Sequence, residues 1–332
     1  MNRPLLVVLP YHAGDFEIAN KLVEWIGELG SCKPHSLLLC ADSKIPQEQM
    51  RALMDKARPH FAHVATMICT VVEHSKDAKE NGYWAQNQMF LAAARQVNTN
   101  YRFDFLWLEP DAIPIYPGWL DDIAEEYGEC PKRFMGSVVH QDGQAGMPKD
   151  YLNGVAVYPN DAIEIFNGIE SVKNGGQAWD IGSAAQVVPK SVNTPLIRHY
   201  YGTKEMPPVF VKAKATDAPK NHVTLDFVGL DAAIFHRSKG GELIELLRQK
   251  RNENPANGSI TPKGIENGDN PKEKVDGQEG KTVHSPVSLE LSKEAPETNQ
   301  PARANQESNT RGKTQGEGLR QEKSRTQTPL RP

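Results

Sequence analysis

The stretch Phe103 to Leu120 reads FDFLWLEPDAIPIYPGWL. Residues Phe103–Leu108 have the apolar character of a strand buried on both faces. The strand ends in Glu109-Pro110-Asp111. In open α/β sheets ligands bind beyond the carboxyl ends of the strands. Two carboxylates one residue apart at that edge can both face one cation. A hard divalent ion such as Mg²⁺ or Mn²⁺ takes oxygen ligands and can bridge a diphosphate. Taken as local structure alone, the same two acids cap a strand and open a turn before Pro114.

Upstream of this stretch, strand and helix signals alternate. Leu5–Leu9 is a continuous apolar run. Phe16, Ala19, Leu22, Val23, Ile26 and Leu29 then recur at helical spacing up to Gly30. Ser36–Cys40 reads as a buried strand and Gln47–Ala57 as a helix with Pro46 at its first turn. Val64–Val72 is a third strand, and Trp84–Val97 a helix with an Ala-rich side. Such alternation implies a mostly parallel sheet with helices on both faces, an α/β fold.

Downstream the rhythm changes. Trp119–Tyr127 reads as a helix, and Phe134–Val139 and Val155–Tyr158 as strands. Asp161–Phe166 and Ala178–Val187 read as helical, and His199–Pro219 as a long loop. Ala232–Phe235 forms a last strand and Gly241–Gln249 a last helix. The 332 residues carry five Trp, all between Trp25 and Trp179, and no aromatic residue follows Asn252. The polar stretch 252–332 lacks the apolar surface to offset the entropy of ordering, so a catalytic domain over 1–251 and a disordered low-complexity tail over 252–332 are expected.

The formal net charge is −4 and no basic block stands out, which argues against a dedicated nucleic-acid binder. Cys32, Cys40, Cys69 and Cys130 form no CxxC pair, so neither a zinc site nor a disulfide framework is suggested. The opening MNRPLLVVLP is too short for a membrane span and is broken by Pro10. No membrane insertion, a cytoplasmic location and a bacterial or viral origin are the corresponding expectations.

A strand ending in acid-x-acid after an N-terminal βαβ region resembles the DxD signature of GT-A glycosyltransferases, with Glu109 replacing the first Asp. The triplet Glu109-Pro110-Asp111 is also locally similar to the EPD of hydroxyproline arabinosyltransferases. The resemblance covers roughly residues 3–250. It implies a GT-A fold and a nucleoside-diphosphate sugar as donor. It also implies Mn²⁺ or Mg²⁺ on the diphosphate and an acceptor hydroxyl on a glycan, protein, metabolite or modified DNA base.

The same resemblance assigns the remaining candidates. The run Ile234-Phe235-His236-Arg237-Ser238-Lys239 is similar to a C-terminal element in which a His completes the metal shell, here His236, while Arg237 and Lys239 meet phosphate oxygens. Read without it, His236 is a surface residue between a strand and a helix. Asp180, at a helix start beside Trp179, falls where an acidic residue serves the acceptor, and Trp179 could stack on the sugar or acceptor. Read without the resemblance, it is an ordinary helix-start acid favoured by the dipole, with Trp179 in the core. Asp231 is the second candidate base. Tyr11, His12 and Asp42, at the ends of the first two strands, are assigned to base or ribose contacts, Tyr11 as a ring that could stack on the base. Lys76 and Asn87, with Tyr83 and Trp84, fall where the nucleotide is covered. Asn153 and Gly154 are expected beneath the donor sugar, or in a simple turn.

A sugar-nucleotide nucleotidyltransferase is the alternative enzyme, but LPYHAGD lacks the Gly-rich loop and cation expected there. A catalytically inactive binding module is the other, and the joint presence of Glu109, Asp111 and His236 argues against it. No dinucleotide fingerprint or Walker A motif occurs.

Overall fold

The structure, a computed structural model, describes residues 3–70, 82–140, 147–200, 209–211, 222–229 and 231–253. The chain divides into Met1–Asn270 and Pro271–Pro332, and every described residue lies in the first unit. Lys76 and the tail beyond Glu253 lie outside the described residues.

Strands β1 (Leu6–Tyr11), β2 (Ser36–Asp42), β3 (Val64–Cys69) and β4 (Phe105–Trp107) pair in parallel in the order β3-β2-β1-β4. The sheet continues through β7 (Asp150–Tyr158), β6 (Phe134–His140) and β8 (Ser191–Asn193). There β7 runs antiparallel to both neighbours, while β6 and β8 are parallel. The fold is α/β with a large, mostly parallel sheet.

Side chains alternate across a strand, and β1 shows the result. Val7, Leu9 and Tyr11 face one core, Leu6 and Val8 the other. The first core is covered by helices Phe16–Leu29, Gln47–Ala57, Trp119–Glu129 and Glu242–Glu253. The second is covered by the helix Trp84–Asn100 and by short helical turns between Ile163 and Val187.

The helix Phe16–Leu29 illustrates how sequence sets packing. Its apolar positions Ala19, Leu22, Val23, Trp25, Ile26 and Leu29 are all buried. Each large side chain contributes about 1.5–3 kcal/mol on burial. Trp25 also donates its indole N–H to the Pro114 carbonyl at 2.7 Å, so its one polar atom is satisfied. Gly30 ends the helix with φ 125, a conformation costly for other residues.

Two small sheets complete the described residues. β5 (Ala112–Pro114), β12 (Ile234–His236) and β9 (Ile197–His199) form one, and β10 (Val209–Val211) with β11 (His222–Thr224) the other. The segment expected as a long loop therefore begins in β9 and contains β10. Three-residue strands are too short to show a period of two. The region Ala178–Val187 forms two four-residue turns, Trp179–Gly182 and Ala184–Val187. The last helix runs to Glu253 rather than Gln249.

Candidate active site

β4 delivers the acid triplet, and Pro110 decides how. The Glu109 carbonyl accepts from the Ala112 amide at 2.9 Å, closing a four-residue turn. Pro110 sits at the second position of that turn, where its fixed φ is preorganised. The turn carries the chain from β4 of the large sheet into β5 of the small one. β12 returns antiparallel to β5, with His236 opposite Ala112. The amides of Arg237 and Ser238 then both donate to the Asp111 carbonyl, at 3.1 and 3.0 Å. Arg237 adopts φ 95, a sparsely populated conformation for a residue with a side chain. The two hydrogen bonds on Asp111 hold that strained residue in place.

These constraints bring Glu109, Asp111 and His236 together. His236 Nε2 lies 3.0 Å from Glu109 Oε2 and 3.1 Å from Asp111 Oδ1. One donor atom from each residue fits within a 4.8 Å group. The side chains are 6, 28 and 14 % exposed for His236, Glu109 and Asp111, so this is not a solvated surface cluster. Burial would lower the His236 pKa, but the Glu109 and Asp111 carboxylates outweigh it and raise it to about 9. Burial would raise the Asp111 carboxyl, and His236, Lys239 and Arg237 together hold it below its usual value.

Two carboxylates and one imidazole form an oxygen-rich donor set suited to a divalent cation such as Mn²⁺ or Mg²⁺. An observation on the far side of the ring fits the same group. His236 Nδ1 faces Asn153 Oδ1 at 3.1 Å, and an outer acceptor of this kind leaves Nε2 free to ligate. Asn153 Oδ1 also accepts from the Val155 amide at 3.2 Å. Asn153, expected beneath a sugar, is therefore engaged in orienting His236.

Gly154 has a spatial reason to be glycine. A methyl there would sit 3.0 Å from Glu109 Oε1 and 2.9 Å from Trp179 Cζ2. Trp179 is 4 % exposed and stacks on Phe90 with centroids 4.9 Å apart and planes at 13°. One of its faces is thus used in the core and is not available to a substrate.

Asp180 follows at the start of the turn Trp179–Gly182 and accepts from the Ile181 amide at 2.9 Å. Burial, then the neighbouring Glu109 carboxylate, raise its pKa to about 7. A carboxyl with a pKa near 7 is suited to exchanging a proton at neutral pH. Asp231 differs. Its side chain is 65 % exposed and pairs with Arg198 at 3.0 Å.

A cleft of about 910 Å³ opens beside the triad. It is lined by Tyr11, His12, Asp42, Glu109, Asp111 and Lys239, among others, and so collects the ends of β1, β2 and β4. Trp179 forms part of its wall, and Lys21 and Lys44 add cations to it. Nothing in the sequence singles out these two lysines, since helix and turn bring them in from separate elements.

Several expected contacts take a different form. Tyr11 is 1 % exposed and its ring lies tilted against Phe16, so it offers no free face for stacking. Its hydroxyl is buried without a hydrogen-bond partner among the described residues, and burial followed by Cys40 raises its pKa to about 12. His12 accepts from the Gly14 amide at 2.8 Å through Nδ1 and meets Asp15 through Nε2 at 3.1 Å, capping the turn after β1. Asp42 accepts from the Lys44 amide at 3.1 Å, making an Asx turn at the cleft edge. Asn87 is fully buried. Its amide donates to the Val172 and Gln177 carbonyls at 2.9 and 2.7 Å, and its oxygen accepts from the Trp179 amide at 3.0 Å. It fixes the Trp179 segment and has no polar atom left for a nucleotide.

His199 is the site residue that sequence reasoning missed. Its Nδ1 lies 2.9 Å from His236 Nδ1. Burial, with the nearby His236 and Arg237 charges, lowers its pKa to about 2 despite Asp111, so it is neutral. No local pattern announces it, because its position depends on how β9 registers against β12.

No family model matches the sequence, and no curated protein matches it. Similar solved structures are glycosyltransferases. Apo WbbM, a bifunctional glycosyltransferase, is 11 % identical with a TM-score of 0.42, covering 71 % of this chain and 46 % of its own. The glycosyltransferase GlyE of Streptococcus pneumoniae TIGR4 is 10 % identical with a TM-score of 0.38, covering 58 % and 46 %. The galactosyltransferase LgtC, in complex with donor and acceptor sugar analogues, is 11 % identical with a TM-score of 0.45, covering 74 % and 96 %. The chain thus spans about half the length of the first two, 46 % in each case.

Proposed function

We propose that this protein is a metal-dependent glycosyltransferase that moves a sugar from a nucleoside-diphosphate sugar to an acceptor hydroxyl, with residues 1–251 as its catalytic domain. The observation that carries the reading is the convergence of Glu109, Asp111 and His236 at the carboxyl end of β4, beside a cleft that also holds Lys239. Glu109, Asp111 and His236 would hold Mn²⁺ or Mg²⁺. Such an ion offsets the charge that develops on a departing diphosphate.

The chain's own groups supply the rest. Lys239 adds a charge-assisted contact for phosphate oxygens at the cleft wall, with Arg237 beside it in sequence. Asp180, with its raised pKa, accepts the proton of the attacking hydroxyl. Gly154 leaves the space that Glu109 needs. The buried Tyr11 hydroxyl and the cations of Lys21 and Lys44 belong to the nucleotide side of the cleft.

The test is a donor panel of UDP-, GDP- and TDP-sugars, with binding measured by calorimetry with and without Mn²⁺. At least one donor is expected to bind in a cation-dependent way. Full binding and turnover in excess EDTA would sink the reading and favour a metal-free, cationic diphosphate site.

A further inference from the structure

We infer that His199 is a positioning residue of the cation site, acting with Asn153 to hold the His236 ring so that Nε2 faces Glu109 and Asp111. The inference rests on the metal-binding reading above and adds to it a residue that neither touches the cation nor lines the cleft.

A neutral imidazole carries one proton on two nitrogens. If His236 Nε2 offers its lone pair to a cation, the proton must sit on Nδ1. That nitrogen then needs an acceptor, and among the described residues two lie within reach: His199 Nδ1 at 2.9 Å and Asn153 Oδ1 at 3.1 Å. The Asn153 oxygen is already shared with the Val155 amide at 3.2 Å. His199 Nδ1 is the nearer acceptor for His236, with its own proton on Nε2. The two rings lie 4.8 Å apart with planes tilted by 60°.

Strand register fixes this arrangement. β9 runs parallel to β12, with His199 paired to His236 and Ile197 to Ile234. Paired residues on neighbouring strands project to the same side about 5 Å apart. The pairing therefore delivers His199 beside His236 whatever the state of the cleft. The His236 ring is clamped on both edges, by carboxylates at Nε2 and by His199 and Asn153 at Nδ1. Without the acceptor at 199, Nδ1 keeps only the Asn153 oxygen, which is shared with the Val155 amide, and the ring is held less firmly with Nε2 toward the cation.

The test uses full-length protein and Mn²⁺ alone as the probe. Binding is measured by calorimetry, and melting of the metal-free protein is measured alongside. His199→Phe keeps a planar ring and removes the acceptor, and is expected to weaken Mn²⁺ binding by about 10–100-fold, the usual effect of losing an outer partner of a metal-bound His. His199→Asn restores an acceptor oxygen near the same point and is expected to stay within about threefold of wild type. Melting of the metal-free His199→Asn protein should stay close to wild type, separating orientation from a general loosening. If His199→Phe does not fold, His199→Leu repeats the test. Wild-type affinity in an acceptor-free variant would overturn the inference and leave the cation reading standing. Equal losses in His199→Asn and His199→Phe would overturn it as well. No Mn²⁺ binding by the wild type would overturn the cation reading, and the inference with it.

Discussion

Gly154→Ala tests the packing of the proposed cation site directly. The added methyl would lie 2.9 Å from Trp179 Cζ2 and 3.0 Å from Glu109 Oε1. Carbon contacts relax at about 3.5–4.0 Å, so the shortfall on the tryptophan side is about 0.6 Å or more. Trp179 cannot yield easily, because it is stacked on Phe90 and meets Trp107 edge-on at 5.7 Å. Glu109 is the more mobile neighbour, and its carboxylate moves as a unit. Its other oxygen, Oε2, is the one facing His236.

Metal sites tolerate ligand errors of only about 0.2 Å, so such a displacement should raise the Mn²⁺ dissociation constant by about tenfold or more. Two effects on stability oppose each other. Replacing glycine within a strand gains about 0.5–1 kcal/mol, while overpacking costs about 1–3 kcal/mol. Overpacking wins, and melting should fall by about 2–4 °C per kcal/mol of net loss. Calorimetric Mn²⁺ titration and thermal denaturation read the two effects separately. A variant with wild-type Mn²⁺ affinity and unchanged melting would refute the reasoning, because Glu109 would then not depend on the space at 154.

Four further outcomes follow from the same geometry. Asp111→Ala should lose Mn²⁺ binding and nearly all transfer while remaining folded, since the clamp on Arg237 and Ser238 uses the Asp111 backbone carbonyl; retention of cation-dependent activity would exclude Asp111 from the site. Asp180→Asn should keep donor affinity and lose roughly 10²–10⁴-fold in kcat, and normal turnover or a joint loss of donor binding would remove it from the base role. His35 accepts from the Leu5 amide through Nδ1 and is held below its usual 6.5, chiefly by burial, with Asp121 opposing. The unfolded chain therefore binds the extra proton first, so His35 contributes stability above about pH 6.5 that is lost as pH falls below it; His35→Gln should flatten melting temperature against pH there, and an unchanged profile would contradict the assignment. Composition predicts that a chain ending after Glu253 melts within about 2 °C of full length, and a drop of many degrees would show that the remainder supports the domain.

Long, strongly periodic elements were legible in the sequence. β1, β2 and the helices Phe16–Leu29, Gln47–Ala57 and Trp84–Asn100 fall where apolar spacing puts them. Burial on one stripe or on alternate faces leaves a trace in the order of residues itself. The acid triplet at the end of β4 was legible for a related reason, because a strand, a proline turn and two carboxylates adjoin in the chain.

Tertiary structure alone decided what lies across the sheet from what. Asn87 reads as a polar residue on a helix near the nucleotide, yet its partners are 85–92 residues away and it serves the Trp179 segment. Tyr11 and Trp179 read as stacking surfaces, but their rings are committed to Phe16 and Phe90. Whether an aromatic face is spent in a core depends on which helix covers it, and no spacing encodes that. Asn153, Gly154 and His199 carry no motif, and each matters through one or two atoms brought to Glu109 or His236 from another strand. Strand register is set by the summed packing of both cores. The outer partners of the site thus exist only once the sheet has formed, whereas the residues Glu109, Asp111 and His236 could be read one by one.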